Sequence, residues 1–157
     1  TTFKQTLQVY IDEARKRGAT PVLVTPMPRR NFTADGKVEN TLGEYPQAIR
    51  ELAAADKVPL IDLNAEAGKF YEALGPEKSK SAFLFFAAGT FPGHKEELKD
   101  NKHFDSYGAY ELAKIIAHGI QQTVRPLVQY RTDCPPQNLD ATKQPVGLNF
   151  DYLMTGK

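Results

Sequence analysis

The chain has 157 residues, 41% of them apolar, which is enough for one ordinary domain with a real core and gives no sign of several. Twenty basic against nineteen acidic side chains leave a formal charge of +1, so there is no bulk electrostatic case for nucleic acid or an anionic membrane. No apolar run approaches the roughly 20 residues that span a bilayer, and no signal-like segment opens the chain. Partners must therefore be argued from a site. Residue 1 is threonine, where a gene product normally begins with methionine, so further chain before it is expected. The single cysteine, Cys134, has no companion for a disulfide or a zinc knot and reads as a buried or merely exposed thiol.

Apolar residues at Phe3, Leu7, Val9, Tyr10, Ile11 and Ala14 fall at helical spacing over residues 3–17, and Gly18 stops the helix. "PVLVTP", residues 21–26, reads as a short buried strand running into a loop. That loop, 27–43, follows Pro26 and carries Pro28, Arg29, Arg30 and an Asp35–Gly36 turn signal. A second helix is predicted over 46–55, with Pro46 in its first turn, where a missing N–H costs nothing. "VPLIDLN", residues 58–64, repeats the strand-to-loop pattern, so the two strands and the helix between them predict a parallel βαβ unit with a right-handed crossover.

Asn64 is placed to cap the next helix, which should run to about Leu74. "SAFLFF", residues 81–86, is either a third strand or a buried segment, and a Gly/Pro-marked loop is expected over 87–101. Asp105 or Ser106 then caps a helix with Tyr107, Tyr110, Leu112, Ile115, Ile116 and Ile120 on or near its inner face. Residues 1–130 form the folded portion, and 131–157, with three prolines and little periodicity, read as an irregular extension. Two or three parallel strands make a poor sheet alone, so the pattern is that of part of an α/β protein.

Chemistry concentrates in "DNKHFDSYGAYELAK", residues 100–114. An aspartate three positions before a histidine on a tight loop can fold its carboxylate back onto the imidazole, fixing the tautomer and stabilising the imidazolium. That would make Asp100 and His103 the base half of a hydrolytic triad. The bare spacing is common by chance, and a polar turn ahead of a helix would look the same. The small-residue helix start "YGAYELA" adds weight, because it packs closely and would hold the loop rigidly.

The stretch from residue 3 to about 130 resembles the C-terminal half of the SGNH (GDSL-type) hydrolases, in their rhamnogalacturonan acetylesterase-like group of carbohydrate esterases. "YIDEARKRGATPVLVTPMPRRNF" is similar to that group's helix, strand and arginine-bearing loop. "DGKVENTLGEYPQAIRELAAADKVPLIDLN" is similar to the following helix and strand, and "DNKHFDSYGAYELAK" to the final block. The resemblance implies part of a flavodoxin-like, three-layer α/β/α fold with a parallel sheet, incomplete in this chain. It implies that His103 is the general base and Asp100 its orienting carboxylate, with Lys102 where the group usually has threonine. It also implies a serine nucleophile in a G-D-S motif and an oxyanion hole from a glycine and a G-x-N-D asparagine, none of which is present here. A preceding segment or a separate chain is therefore expected to supply them and complete the sheet, and this chain alone should be nearly inert. The implied substrate is an acetylated plant cell-wall polysaccharide, with rhamnogalacturonan ahead of xylan or other acetylated glycans. No metal or organic cofactor is implied, and a polymeric substrate implies secretion or a periplasmic location. The competing expectation is a non-catalytic remnant or assembly piece that binds glycan or a partner chain.

Other residues carry weaker signals. Arg29 and Arg30, leaving the first strand beside Thr25, could meet the acidic groups of a pectic substrate or be solvated loop charges. Asp62 ends the second strand, where open α/β sheets place functional groups, although a capping role is favoured. His94 and His118 lack metal-ligand company at useful spacing, and a metal held by Asp100, His103 and His94 is a remote alternative.

Overall fold

A computed structural model of the chain describes residues 2–123; the expected extension over 131–157, the boundary before it and Cys134 lie outside the described residues. Helix α1 spans Phe3–Lys16. Thr2 and Gln5 cap it reciprocally, each side chain bonding the other's backbone N–H. Gly18, at φ +77°, ends it, with the N–H groups of Gly18 and Ala19 returning to the carbonyls of Arg15 and Ala14. This termination needs a left-handed residue, which glycine adopts without a Cβ penalty.

Strand β1 is Leu23–Val24, helix α2 is Tyr45–Ala55 and strand β2 is Leu60–Ile61. The strands pair in parallel, with Leu23 opposite Leu60 and Val24 opposite Ile61, which is the expected βαβ unit. Each strand is shorter than its apolar run, because Pro21 and Pro26 bracket β1 and Pro59 precedes β2, and proline brings no N–H to a ladder. Ile11 of α1, Ile49, Leu52 and Ala53 of α2, Leu23 of β1 and the neighbouring Val58 share one buried core on one face of the pair. Between the strands of this unit, the loop after β1 closes a small hairpin through an antiparallel bridge from Phe32 to Val38, with Gly36 at φ +78° in its turn.

Helix α3, Leu63–Lys78, breaks its regular geometry at Gly75 just before Pro76, so the uninterrupted part ends at Leu74 as the sequence predicts. Its cap differs from expectation. Asp62, not Asn64, accepts the N–H of Ala65 at 3.3 Å, because it stands three residues ahead of that amide where the chain leaves β2. Asn64 instead donates its side-chain amide to the Pro26 carbonyl at 3.1 Å.

A 3₁₀ turn over Ser79–Ala82 leads into β3, Phe83–Phe86, and thence to β4, Leu98–Phe104, which pairs antiparallel with it. "SAFLFF" therefore yields a strand, but the loop expected over 87–101 is shorter, since residues 98–101 already belong to β4. Helix α4, Ser106–Thr123, is capped by Asp105, whose carboxylate accepts the Gly108 N–H at 2.8 Å. Leu112 and Ile115 face inward as expected, joining Phe70, Tyr71, Leu74 and Phe83 in an aromatic-rich second core. Tyr110 does not: it lies at the surface, with the Lys114 ammonium 5.2 Å from its ring centroid.

Two glycines set how closely α4 can lie. A Cβ at Gly108 would sit 2.0 Å from the Ala82 carbonyl oxygen, and one at Gly119 would sit 2.5 Å from the Ile61 side chain. Gly108→Ala should therefore lower the stability of the full-length protein by about 1–3 kcal/mol through overpacking. Gly68→Ala, in α3 with nothing within 4 Å of the added methyl, should raise it by about 0.5–1 kcal/mol. Urea unfolding midpoints read both, and a stabilised Gly108→Ala protein would contradict this packing.

Candidate active site

The β3–β4 ladder is irregular where the candidate residues lie. From the Phe83–Phe104 pair to the Phe85–Lys99 pair, β3 advances two residues and β4 five, so β4 bulges between Lys99 and Phe104. Asp100, Asn101, Lys102 and His103 occupy this bulge. One Asp100 carboxylate oxygen accepts the backbone N–H of Lys102 at 2.6 Å and of His103 at 3.0 Å, and the other lies 2.7 Å from His103 Nδ1. These three bonds hold the Asp100 carboxyl down at about 2, led by the bond from the His103 ring and followed by the two backbone amides.

The 2.7 Å contact selects a tautomer. An ionised carboxylate only accepts, so in this contact Nδ1 is the donor, and when the imidazole is neutral its lone pair is on Nε2. The His103 side chain is 72% exposed while Asp100 is 24% exposed, which presents the ring outward from an anchored carboxylate.

The two arginines separate. Arg29 is exposed, whereas Arg30 is buried at 8%. Its Nε donates to Asn101 Oδ1 at 2.9 Å, and its Nη1 donates to the Pro76 carbonyl at 2.6 Å and to Ser79 Oγ at 3.2 Å. Its backbone N–H also donates to the Asn101 carbonyl at 3.0 Å. The guanidinium lies 4.7 Å from the Phe85 ring centroid, and burial lowers its pKa, partly offset by the charge of Glu77. Arg30 thus turns into the protein and reaches the bulge itself, rather than standing as a solvated loop charge.

Thr25 and Asp62 form a separate network at the carboxyl ends of β1 and β2. Thr25 Oγ1 donates to Asp62 Oδ1 at 2.8 Å and accepts the Asn64 N–H at 2.8 Å, while Arg50 clamps both Asp62 oxygens at 2.8 and 2.9 Å. Burial pushes the Asp62 carboxyl upward, but the bonds from Arg50, Thr25 and Ala65 outweigh it and leave it below its ordinary value. Asp62 thus caps α3 through the Ala65 N–H, which is the capping role favoured from sequence, and its remaining bonds tie that cap to Thr25 at the end of β1 and to Arg50 of α2.

Two of the three serines have hydroxyls held by hydrogen bonds. Ser79 is buried against Pro76 and Arg30, Ser81 donates to the Lys78 carbonyl at 2.8 Å, and Ser106 opens α4. His94 lies in the β3–β4 connection, its backbone bonded to Gly89 and Phe91, and His118 lies on α4. Among the described residues no three His, Cys, Asp or Glu side chains gather to hold a metal, so Asp100, His103 and His94 form no such site. Sequence reasoning missed Asn101, Phe85 and Ser79 as partners of Arg30, since contacts across 49 to 71 positions leave no local periodic signal.

The Asp100 carboxyl should titrate near 2 by carboxyl ¹³C NMR in the folded protein, and in His103→Ala it should move part of the way to the ordinary 3.8, since two backbone amides remain. Because the folded value lies below the unfolded one, the turn's contribution to stability is present above the ordinary carboxylate range and is lost as pH falls toward 2. An unchanged midpoint in His103→Ala would show that the ring contributes nothing.

No protein-family model matches the chain. It is 46% identical over 127 residues to the rhamnogalacturonan acetylesterase RhgT of Bacillus subtilis, a match covering 81% of this chain and 55% of that protein. It is 36% identical over 129 residues to the probable rhamnogalacturonan acetylesterase YesY of the same organism, covering 82% of this chain and again 55% of the relative. The chain thus spans about half the length of the curated relatives it matches. The crystal structure of the Bacillus subtilis protein YxiM aligns with a TM-score of 0.61 and 26% identity, over 76% of this chain and 30% of that one. A protein named as the uncharacterized esterase YxiM is also 30% identical over 83 residues. By these likenesses, and by its incomplete α/β fold, the chain is similar to the SGNH-type esterases, in their rhamnogalacturonan acetylesterase-like group.

Proposed function

We propose that the protein carrying this chain is a carbohydrate esterase that removes acetyl groups from a plant cell-wall polysaccharide, rhamnogalacturonan first, through a Ser–His–Asp triad. The observation that carries this reading is the 2.7 Å contact between Asp100 and His103 Nδ1, which leaves Nε2 as an outward-facing base. The names of two relatives matched over about four fifths of the chain point to the same ester chemistry.

In this reading, His103 Nε2 takes the hydroxyl proton of a serine as its oxygen bonds the acetyl carbonyl carbon. The tetrahedral intermediate collapses, the sugar oxygen leaves with the proton from the imidazolium, and acetyl-serine remains. Water, deprotonated by the same Nε2, then releases acetate and restores the serine. Asp100 stays ionised throughout and steadies each imidazolium. The serine and the oxyanion donors come from a segment outside this chain, which also extends the sheet. Two exposed apolar side chains support that placement: Val24 is 42% exposed although strands of parallel sheets are normally covered on both faces, and Tyr10 of α1 is 70% exposed. An extracellular or periplasmic site of action follows from the size of the substrate, and cell fractionation tests it.

Acetate release from acetylated rhamnogalacturonan by the full-length protein tests the reading. The full-length protein should be active, this chain alone close to inert, and full-length His103→Ala slower by about 10⁴- to 10⁶-fold in kcat. Equal release by wild type and His103→Ala would remove the histidine from the mechanism, and a full-length protein that binds the glycan without releasing acetate would favour a non-catalytic role.

A further inference from the structure

A bulge is a weak platform for a catalytic dyad. Its residues are out of the β ladder, and the three bonds of Asp100 are all made within the turn, to Lys102 and His103. They shape the turn without tying it to the body of the protein. Asn101, at the centre, is the residue that reaches outward, and both its backbone carbonyl and its side-chain Oδ1 accept from Arg30.

Arg30 is itself held from three other directions. Nη1 is bonded to Pro76 at the break in α3 and to Ser79 in the following turn, and the guanidinium lies over Phe85 of β3. Burying a guanidinium against neutral acceptors carries a desolvation cost that only well-made hydrogen bonds offset, so an arginine here answers a geometric need that an apolar side chain of similar volume would not. Its planar fork offers donors in fixed directions, which suits one group bridging three elements.

We propose that Arg30 is a positioning residue, clamping Asn101 so that the Asp100–His103 turn is fixed relative to α3 and β3. The catalytic consequence rests on the esterase reading above, since a base displaced by about 1 Å can cost on the order of 10²-fold in rate. The clamp itself is independent of that reading.

Arg30→Met, Arg30→Lys and Asn101→Ala in the full-length protein test it, read by the Asp100 carboxyl ¹³C titration and by kcat and KM for acetate release. Arg30→Met should raise the Asp100 midpoint from about 2 and lower kcat on the order of 10²-fold, with KM within about twofold. Arg30→Lys, which keeps one donor group, should recover part of both. Asn101→Ala should move both readouts the same way while leaving the arginine's charge in place, which separates positioning from a field effect. It also carries the test should Arg30→Met fail to fold. A raised KM with unchanged kcat and midpoint would make Arg30 a substrate-binding residue, and a lower Tm alone would make it a packing residue; either overturns the proposal. If wild type releases no acetate, the esterase reading falls, and the midpoints of Asn101→Ala and Arg30→Met still decide the clamp.

Discussion

A carboxylate that accepts three hydrogen bonds from its own turn organises this molecule's chemistry. Asp100 is only partly shielded, so its low pKa comes from directed N–H groups, two of them backbone, rather than from a charged partner in a dry interior. Such a device is local: the sequence D-x-x-H folds it wherever the backbone lets the chain double back. What the rest of the fold must supply is a place to do so, and the β4 bulge is that place. The bulged residues are released from the ladder, so their amides can turn toward a side chain instead of toward β3.

Helix α4 connects this turn to the parallel strands. Gly108 lets its first turn press on the Ala82 carbonyl, and Gly119 lets its last turn press on Ile61 of β2. The two glycines are eleven residues apart, close to three turns at 3.6 residues each, so they lie on one face of the helix. That face is flat at both ends, with Leu112 and Ile115 buried between them. The Asp105 N–H also donates to the Ala82 carbonyl at 3.3 Å, so the same carbonyl that receives α4 fixes the chain as it leaves the bulge. Dyad, helix start and aromatic core are therefore joined within a few residues.

Much of this was legible in the sequence, for reasons that differ by element. The ends of α1 and α2 were readable because Gly18 and Pro46 act locally, and the Asp35–Gly36 turn signal marked a real hairpin turn. Asp100 and His103 were readable because their interaction spans three positions. The polar run "LKDNKHF" hid β4, since a strand on an exposed hairpin has no apolar alternation to announce it. The cap of α3 was misplaced by two residues because Asp62 and Asn64 are equally good capping types, and only the point where the chain leaves β2 distinguishes them. Tyr110 was misassigned because helical spacing does not say how wide the buried stripe is. Arg30 was the hardest case: from sequence, a buried arginine 71 positions from its partner looks the same as a solvated one.

The proposed function joins two features of different kinds. On the structural side, β1 uses the N–H groups of Leu23 and Thr25 to bond β2, so the N–H of Val24 between them faces the opposite edge, where no described strand pairs. On the chemical side, the proposal gives His103 the base at Nε2, while the Ser79 and Ser81 hydroxyls are bonded within their own turns and to Arg30, and Ser106 opens α4. A parallel pair of two short strands is smaller than the sheets parallel strands normally form, and a base without a nucleophile performs no acyl transfer. The loop leaving the carboxyl end of β1 runs through Arg30 to the bulge, so an added strand beside β1 would end near that same loop, where open α/β sheets place their ligands. One added segment can then satisfy the backbone at the sheet edge and bring a serine to the imidazole, which is why the proposal treats both as a single requirement.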